Sequence, residues 1–445
     1  MAWLGEPLPP DQQADATFPG LAPRCVKDVI EEGLFARRRD LFTNLSMVFF
    51  DTTSLYFEGE GGESIGQRGF SKDHRPDCYQ MVVGMVLAQD GTPICSEMWP
   101  GNVADVTALL PVIRRLRQRF GIRDVCIVAD RGMISAATTE QIERKLPGVK
   151  YILGARLRSD HEVRDQVLGW AGRYQQVQGP RRHSKDPAPL KVKDVRFTPA
   201  DKQQGGKEDD PLDRRYIVCH NEEQARKDAA DREAILAALE DQLQRGDKSL
   251  IGNKGFRKYV RSQGQRFAID RQKVKEEERF DGKWVLRTNW DAPAAEVALR
   301  DKDLWQVEAI FRSMKSLLET RPIWHRCDET IRGHVFCSFL ALVLRKALQD
   351  RLSAEGVTAE WADLLHDLDQ LRQFEVQSGA ATCLLRTAPV GVAGRALQAV
   401  GIALGPPVQF LTAADQTTRE AGNVVPRRNG KDASDDSEDG CEITV

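Results

Sequence analysis

The sequence predicts an α/β fold: a mixed five-stranded sheet flanked by helices, interrupted by a β-rich insertion and followed by a helical C-terminal region. Three observations predict it. Met47–Phe50 and Val125–Ala129 are continuous apolar runs, as expected of strands buried on both faces. Between them, Gln80–Ala88 and Pro93–Trp99 are strand-like segments joined by Asp90-Gly91, a hairpin signal. Two helical segments, from Asp105 to about Phe120 and from Ser135 to about Leu146, then alternate with the later strands, giving the order β–β–β–α–β–α–β.

Each element has its own justification. Residues 1–24 are rich in Pro, Gly and Asp and read as a loose leader, and Val26–Leu45 reads as a short helical region exposing Arg37, Arg38 and Arg39. The first buried strand ends directly in Asp51 and the fourth in Asp130. A polar loop over 58–77 closes on a charge-dense run, Ser71-Lys72-Asp73-His74-Arg75-Pro76-Asp77. Ser135 is placed to cap the helix that follows it, and Lys150–Leu153 reads as a fifth strand. From about Ala155 the chain becomes polar and loop-rich. It then offers a strand over Tyr216–His220, a charged helix over Glu222–Gln244 and a β-rich stretch over Phe267–Trp290. A mostly helical region runs to about Gln398, and an acidic tail with the composition of a disordered segment follows. The domains expected are therefore 1–46, 47–154, 155–295, 296–350, 351–414 and 415–445.

Composition narrows the functional class. With 445 residues and 41% hydrophobic side chains the chain can bury a substantial core. Net charge is −2, but nine Lys or Arg and one acid lie between Lys248 and Lys275, so a basic surface is hidden in the total. The nine cysteines are scattered singly with no CxxC pair, which argues for reduced thiols and against zinc ribbons. No signal-peptide core and no run of eighteen apolar residues occurs, so a soluble cytoplasmic protein is expected.

Chemistry is suggested by carboxylates. A side chain leaving the end of a rigid strand suits a site that needs tight geometry. Asp51 and Asp130, with a third acid from a helix, could hold two divalent metals about 3.5–4 Å apart, Mg²⁺ being the natural choice for hard oxygen ligands. The competing reading is that both aspartates merely begin turns. The third acid is Glu308. Leu304, Val307, Phe311, Met314 and Leu318 form an apolar helical stripe, and Glu308, Arg312 and Lys315 lie along its border. At about 100° per residue Glu308 and Lys315 fall within about 20° of each other. Taken alone, that border also fits a solvated ion-pair edge.

The motifs resemble a known family. FFDTTSLYFE around Asp51, GFSKDHRPD at 69–77, GNVADVTALLPVI at 101–113, IVADRGM at 127–133 and VEAIFRSMKSLLETRPIWH at 307–325, with GH at 333–334, are similar in content and order to bacterial insertion-sequence DDE transposases. The branch is the one whose third acid lies in a Y-(2)-R-(3)-E-(6)-K signature, on an RNase H-like catalytic core. The similarity spans roughly residues 30–350. It implies that Asp51, Asp130 and Glu308 are the catalytic, metal-binding acids, with Mg²⁺ as cofactor in a two-metal site and Mn²⁺ as a substitute. It implies that Lys315 contacts transposon-end DNA. Two signature positions depart: Asp301 stands at the tyrosine and Leu304 at the arginine, and Arg312 is the nearby cation that could replace the lost charge.

Double-stranded DNA is the implied partner, in a synaptic complex that implies a homodimer, with no membrane role and with nucleoid association in a prokaryotic cytoplasm. Candidate DNA contacts are Lys72, His74 and Arg75 in the loop, and Lys254, Arg257, Lys258 and Arg261 in the insertion. Trp284 and Trp290 either stack on an unpaired base or belong to the core. His325 and His334 read as hydrogen-bonded structural residues. The expected activity is cleavage at element ends and strand transfer into target DNA. The alternatives are an RNase H-like nuclease without strand transfer and a catalytically inactive transposon-derived DNA-binding protein, which the changed positions Asp301 and Leu304 motivate.

Overall fold

The computed structural model describes residues 1–13, 23–38, 45–179, 181, 183, 186–197, 213–245, 258–263, 266–378 and 381–411. Two compact units divide the chain, Met1–Ser338 and Phe339–Val445.

The first unit is organised by one sheet. Strands β1 (Met47–Tyr56), β2 (Gln80–Ala88), β3 (Pro93–Pro100), β4 (Val125–Ala129) and β5 (Val149–Gly154) stand in the order β3-β2-β1-β4-β5. β1 pairs antiparallel with β2 and parallel with β4, and β4 pairs parallel with β5. This is the RNase H-like arrangement expected from the sequence. Helices α2 (Asp105–Gln118) and α3 (Ala136–Lys145) cover one face, where Phe50, Val86, Leu109, Val112, Ile127 and Ile142 share a buried core. Ser135 caps α3 as expected, its hydroxyl accepting from the Thr138 N–H at 3.0 Å.

The sheet is larger than the five strands expected. β11 (Lys283–Thr288) pairs antiparallel with β5, and β8 (Arg214–His220), β7 (Leu190–Phe197) and β6 (Gln175–Gln178) follow, giving nine strands. The strands of the 155–295 stretch thus extend the core sheet. A separate two-stranded piece, β9 (Val260–Gln263) with β10 (Arg266–Ile269), lies near helices α4 (Glu222–Arg245) and α5 (Arg271–Glu278).

The helical segment after β11 is not one rod. Helix α6 (Ala294–Lys302) is followed after a break by α7 (Trp305–Arg312) and then by a π-helical turn, Ser313–Leu317. Of the expected stripe, Leu304, Val307, Phe311 and Met314 are buried, and Leu318, past the π turn, is half-buried. The chain then returns to β1, with Ile323 N–H donating to the Tyr56 carbonyl and Glu58 N–H to the Ile323 carbonyl.

The fully buried side chains of helix α1 (Val26–Arg38) are charged: Lys27, Asp28 and Glu31. Arg115 of α2 is ion-paired to Asp28, Glu31 and Glu97, and Lys27 to Asp28 and Glu31, all of them buried. The described part of the leader is fastened: the Gln13 side-chain amide donates to the Leu8 and Arg24 carbonyls at 2.9 Å.

The second unit begins within the long helix α8 (Asp328–Ala354) and adds α9 (Trp361–Asp369) and α10 (Ala393–Ala399). It also contains a three-stranded antiparallel sheet, β12 (Gln373–Ser378), β13 (Ala381–Arg386) and β14 (Val408–Leu411), where helix was expected. No described helix is long and apolar enough to cross a membrane. Among the described residues, Cys25, Cys78, Cys95, Cys126, Cys219, Cys337 and Cys383 are free thiols.

Candidate carboxylate site

Asp51 lies within β1, not at its end. The strand continues to Tyr56 because β2 pairs with it throughout, whereas β4 pairs only with Met47–Phe50. Past Phe50 one side of β1 is therefore open, and Asp51 is the first residue there. Across the ladder Phe50 faces Ala129, the last residue of β4, so Asp130 follows directly after that strand. Parallel neighbours in register share a face, and adjacent strands are about 4.8 Å apart. The two aspartates thus stand side by side on the face opposite Phe50 and Ala129.

Close packing holds this corner. A Cβ on Gly154 of β5 would lie 2.9 Å from the backbone nitrogen of Arg131, directly behind Asp130. Gly69 and Gly101 do the same for the neighbouring loops: a Cβ on Gly69 would lie 2.0 Å from the Gly101 carbonyl oxygen. The motifs at 69–77 and 101–113 therefore meet beside β1.

The electrostatics differ between the two acids. Burial pushes the Asp51 carboxyl up to about 6; Lys72 and the Thr52 N–H oppose this, and the charges of Asp130 and Asp105 add to it. The Thr52 N–H donates to Asp51 Oδ1 at 2.7 Å. Asp130 is exposed. Lys72 Nζ lies 3.9 Å from Asp51 Oδ1 and 3.1 Å from Asp105 Oδ2, so this loop lysine faces carboxylates.

Glu308 is exposed on α7, which packs on β1 and β2 through its opposite, buried face. Among the described residues, no three Asp, Glu, His or Cys side chains stand close enough to hold an ion. Lys315 falls in the π turn, so the alignment drawn from regular α-helical geometry does not hold there. It is 13% exposed and bonds to Asp73 Oδ1 at 2.8 Å, an oxygen that also pairs with Arg321 at 3.0 Å. Burial lowers the Lys315 pKa, with Asp73 opposing. Arg312 is exposed.

The remaining candidates separate. His74 is exposed in a left-handed backbone conformation (φ 57°), and Arg75 pairs with Asp77 at 2.9 Å. Arg75 and Arg321 both lie over the Tyr56 ring, 5.1 and 5.6 Å from its centre. Lys258 is ion-paired to Glu277, and Arg261 is exposed on β9. Lys254 and Arg257 lie outside the described residues. Trp290 is half-buried just past β11, its carbonyl accepting from Arg215 at 2.6 Å. His334 hydrogen-bonds the Thr320 carbonyl at 3.1 Å, its ring 5.1 Å from that of His325.

Two features escaped the sequence reading. Trp284 donates its indole N–H to Asp301 at 3.1 Å, and burial pushes the Asp301 carboxyl up to about 7, with the Asp130 charge adding to the rise. The residue at the departed signature position thus senses the site electrostatically. Phe70, Trp305 and Trp324 are 83%, 61% and 67% exposed, so the open aromatic rings of this region lie beside Lys72, on the Glu308 helix and beyond Lys315.

The sequence pattern of the transposase DDE domain family matches residues 44–344, the interval that holds all three acids and both loops. The chain belongs to that family. Among solved structures it is similar to a piggyBac transposase synaptic complex with hairpin DNA, at 8% identity and a TM-score of 0.34, covering 71% of this chain and 49% of that one. It is also similar to the Mos1 mariner paired-end complex with Mn, at 13% identity and a TM-score of 0.16, covering 33% of this chain and 44% of that one. The chain spans about half the length of the piggyBac transposase chain. No curated protein sequence matches it.

Proposed function

We propose that this transposase-family chain belongs to the branch with the Y-(2)-R-(3)-E-(6)-K signature, from a bacterial insertion sequence. Its reaction is metal-dependent phosphoryl transfer on DNA: cleavage at the element's ends, then joining of the freed 3′-hydroxyl to target DNA. One observation carries this reading, the side-by-side placement of Asp51 and Asp130 after the last paired residues of β1 and β4. A half-buried carboxyl pushed up by desolvation, with further carboxylates beside it, as Asp51 is, gains from a bound cation.

The donor set suits a hard divalent ion. Asp51 and Asp130 offer carboxylate oxygens, with no His or Cys required. They would be the first two ligands and Glu308 the third, with Mg²⁺ as the ion and Mn²⁺ as a substitute. When bound, the metal would polarise the scissile phosphate and favour ionisation of the attacking water or 3′-hydroxyl. The chain's own groups do the rest. The Thr52 N–H fixes the Asp51 carboxylate. Lys315 and Arg321, gathered at Asp73, and exposed Arg312 supply positive charge for phosphates, and exposed His74 offers a ring nitrogen as a further contact. Exposed Phe70 and Trp305 offer faces for stacking on bases. Two element ends must be brought together, so the working species is a homodimer on double-stranded DNA.

Incubation with DNA from the flanks of the gene tests the reading. Asp130→Ala should abolish Mg²⁺-dependent end cleavage while leaving end binding within about threefold of wild type; full cleavage by that variant would overturn the assignment. Pre-cut ends supplied with target DNA should be joined by the wild-type chain. Cleavage without joining would make it a nuclease instead.

A further inference from the structure

Three parts of the chain meet at Asp105, in the first turn of α2. Its carboxylate accepts from Thr52 Oγ1 at 2.6 Å and pairs with Lys72 Nζ at 3.1 Å. A Cβ on Gly132, two residues past Asp130, would lie 3.2 Å from Asp105 Oδ2. Lys72 Nζ also donates to the Thr52 carbonyl at 2.7 Å and to Thr52 Oγ1 at 2.9 Å. An ammonium has three donors, and these oxygens can use all of them. The backbone of the same residue is held too, its N–H donating to Ser54 Oγ at 2.8 Å. A unit positive charge is therefore fixed 3.9 Å from Asp51 Oδ1.

We propose that Asp105 is a positioning residue that pins Lys72 as a resident cation beside Asp51, and that Lys72 thereby sets the affinity of the aspartate pair for divalent metal. The inference rests on the reading of Asp51 and Asp130 as metal ligands. Without metal, the ammonium offsets the repulsion among Asp51, Asp130 and Asp105. When a divalent cation arrives at Asp51, the same ammonium repels it. Asp105 and Thr52 hold Lys72 back; with Asp105 neutralised, Thr52 alone restrains the ammonium, which shifts toward Asp51 and competes more directly. Asp105 acts through Lys72, and its effect should vanish when Lys72 carries no charge.

Calorimetric titration of the full-length chain with MnCl₂ tests this. Lys72→Gln should tighten Mn²⁺ binding about tenfold, and Lys72→Met should match it should the glutamine variant fold poorly. Lys72→Arg should stay within about threefold of wild type. Asp105→Asn should weaken binding, yet the double variant Lys72→Gln/Asp105→Asn should bind as tightly as Lys72→Gln alone. Unchanged or weaker binding by both Lys72→Gln and Lys72→Met would overturn the proposal. Loss of binding in the double variant would also overturn it, by making Asp105 a ligand. Asp51→Asn separates the two layers: unchanged Mn²⁺ binding in that variant would remove the metal-site reading itself.

Discussion

Asp51 and Asp130 follow the last paired residues of two parallel neighbours, Phe50 of β1 and Ala129 of β4, and so share one face of the sheet at the point where the strands part. The backbone sets that relationship, so anything that moves the turn after β4 should disturb it.

Gly154 is the sharpest handle on the turn. Gly154→Ala would place a methyl 2.9 Å from the Arg131 nitrogen, so backbone must shift directly behind Asp130. End cleavage should fall about tenfold or more, while far-ultraviolet circular dichroism stays as in wild type. Gly33→Ala is the contrast. A Cβ there meets nothing within 4 Å, so this helical substitution should leave cleavage unchanged and add up to about 1 kcal/mol of stability in urea unfolding.

Arg115 answers three buried carboxylates, Asp28, Glu31 and Glu97, at the junction of α1, α2 and β3. Removing one partner of such a set leaves uncompensated buried charge. Arg115→Ala should cost about 3–5 kcal/mol, read as a lower urea midpoint. A loss below about 1 kcal/mol would show that Lys27 and Arg119, the latter 3.6 Å from Asp28, suffice for the acids.

Asp301 predicts a pH dependence. Its carboxyl titrates near 7 in the fold against 3.8 ordinarily, so the folded chain holds a proton that the unfolded chain releases between these values. The contribution is fully present below about pH 4 and is lost as pH rises through about 7. Asp301→Asn should therefore melt several degrees above wild type at pH 8, with the difference shrinking toward pH 5. Equal melting at pH 8 would show that Trp284 and the surroundings already accommodate the charge.

Lys315 lies on Asp73, 242 residues away in sequence, with Arg321 on the same oxygen. As a DNA contact, Lys315→Ala should weaken end binding and reduce the slope of log affinity against log salt by about one. A lower melting temperature with an unchanged slope would make the Lys315–Asp73 pair purely structural.

The central strands were legible because burial on both faces leaves continuous apolar runs. β2 and β4 begin and end where the sequence places them. Strand β7 was hidden because Lys191, Lys193, Asp194 and Arg196 interrupt its apolar residues. The short strands β12 and β13, with polar residues between Phe374, Val376 and Leu384, were absorbed into a helical reading. At the site, the acids were legible as residue types ending or bordering apolar runs. The placement of Asp105, Lys72 and Trp284 was not, since each is brought in by chain crossings far apart in sequence. The π turn at Ser313–Leu317 depends on backbone hydrogen bonding, the Leu318 N–H reaching back to the Ser313 carbonyl, and side-chain periodicity carries no mark of it.

The central claim is that the aspartate pair binds the metal that supports DNA cleavage. Asp130→Cys tests it directly, because a thiolate is a poor ligand for Mg²⁺ and a better one for Mn²⁺. Cleavage of end DNA by this variant should be lost in Mg²⁺ and restored, at least in part, in Mn²⁺, with Asp130→Ala inactive in both. Equal activity of the cysteine and alanine variants in Mg²⁺, near that of wild type, would contradict the claim.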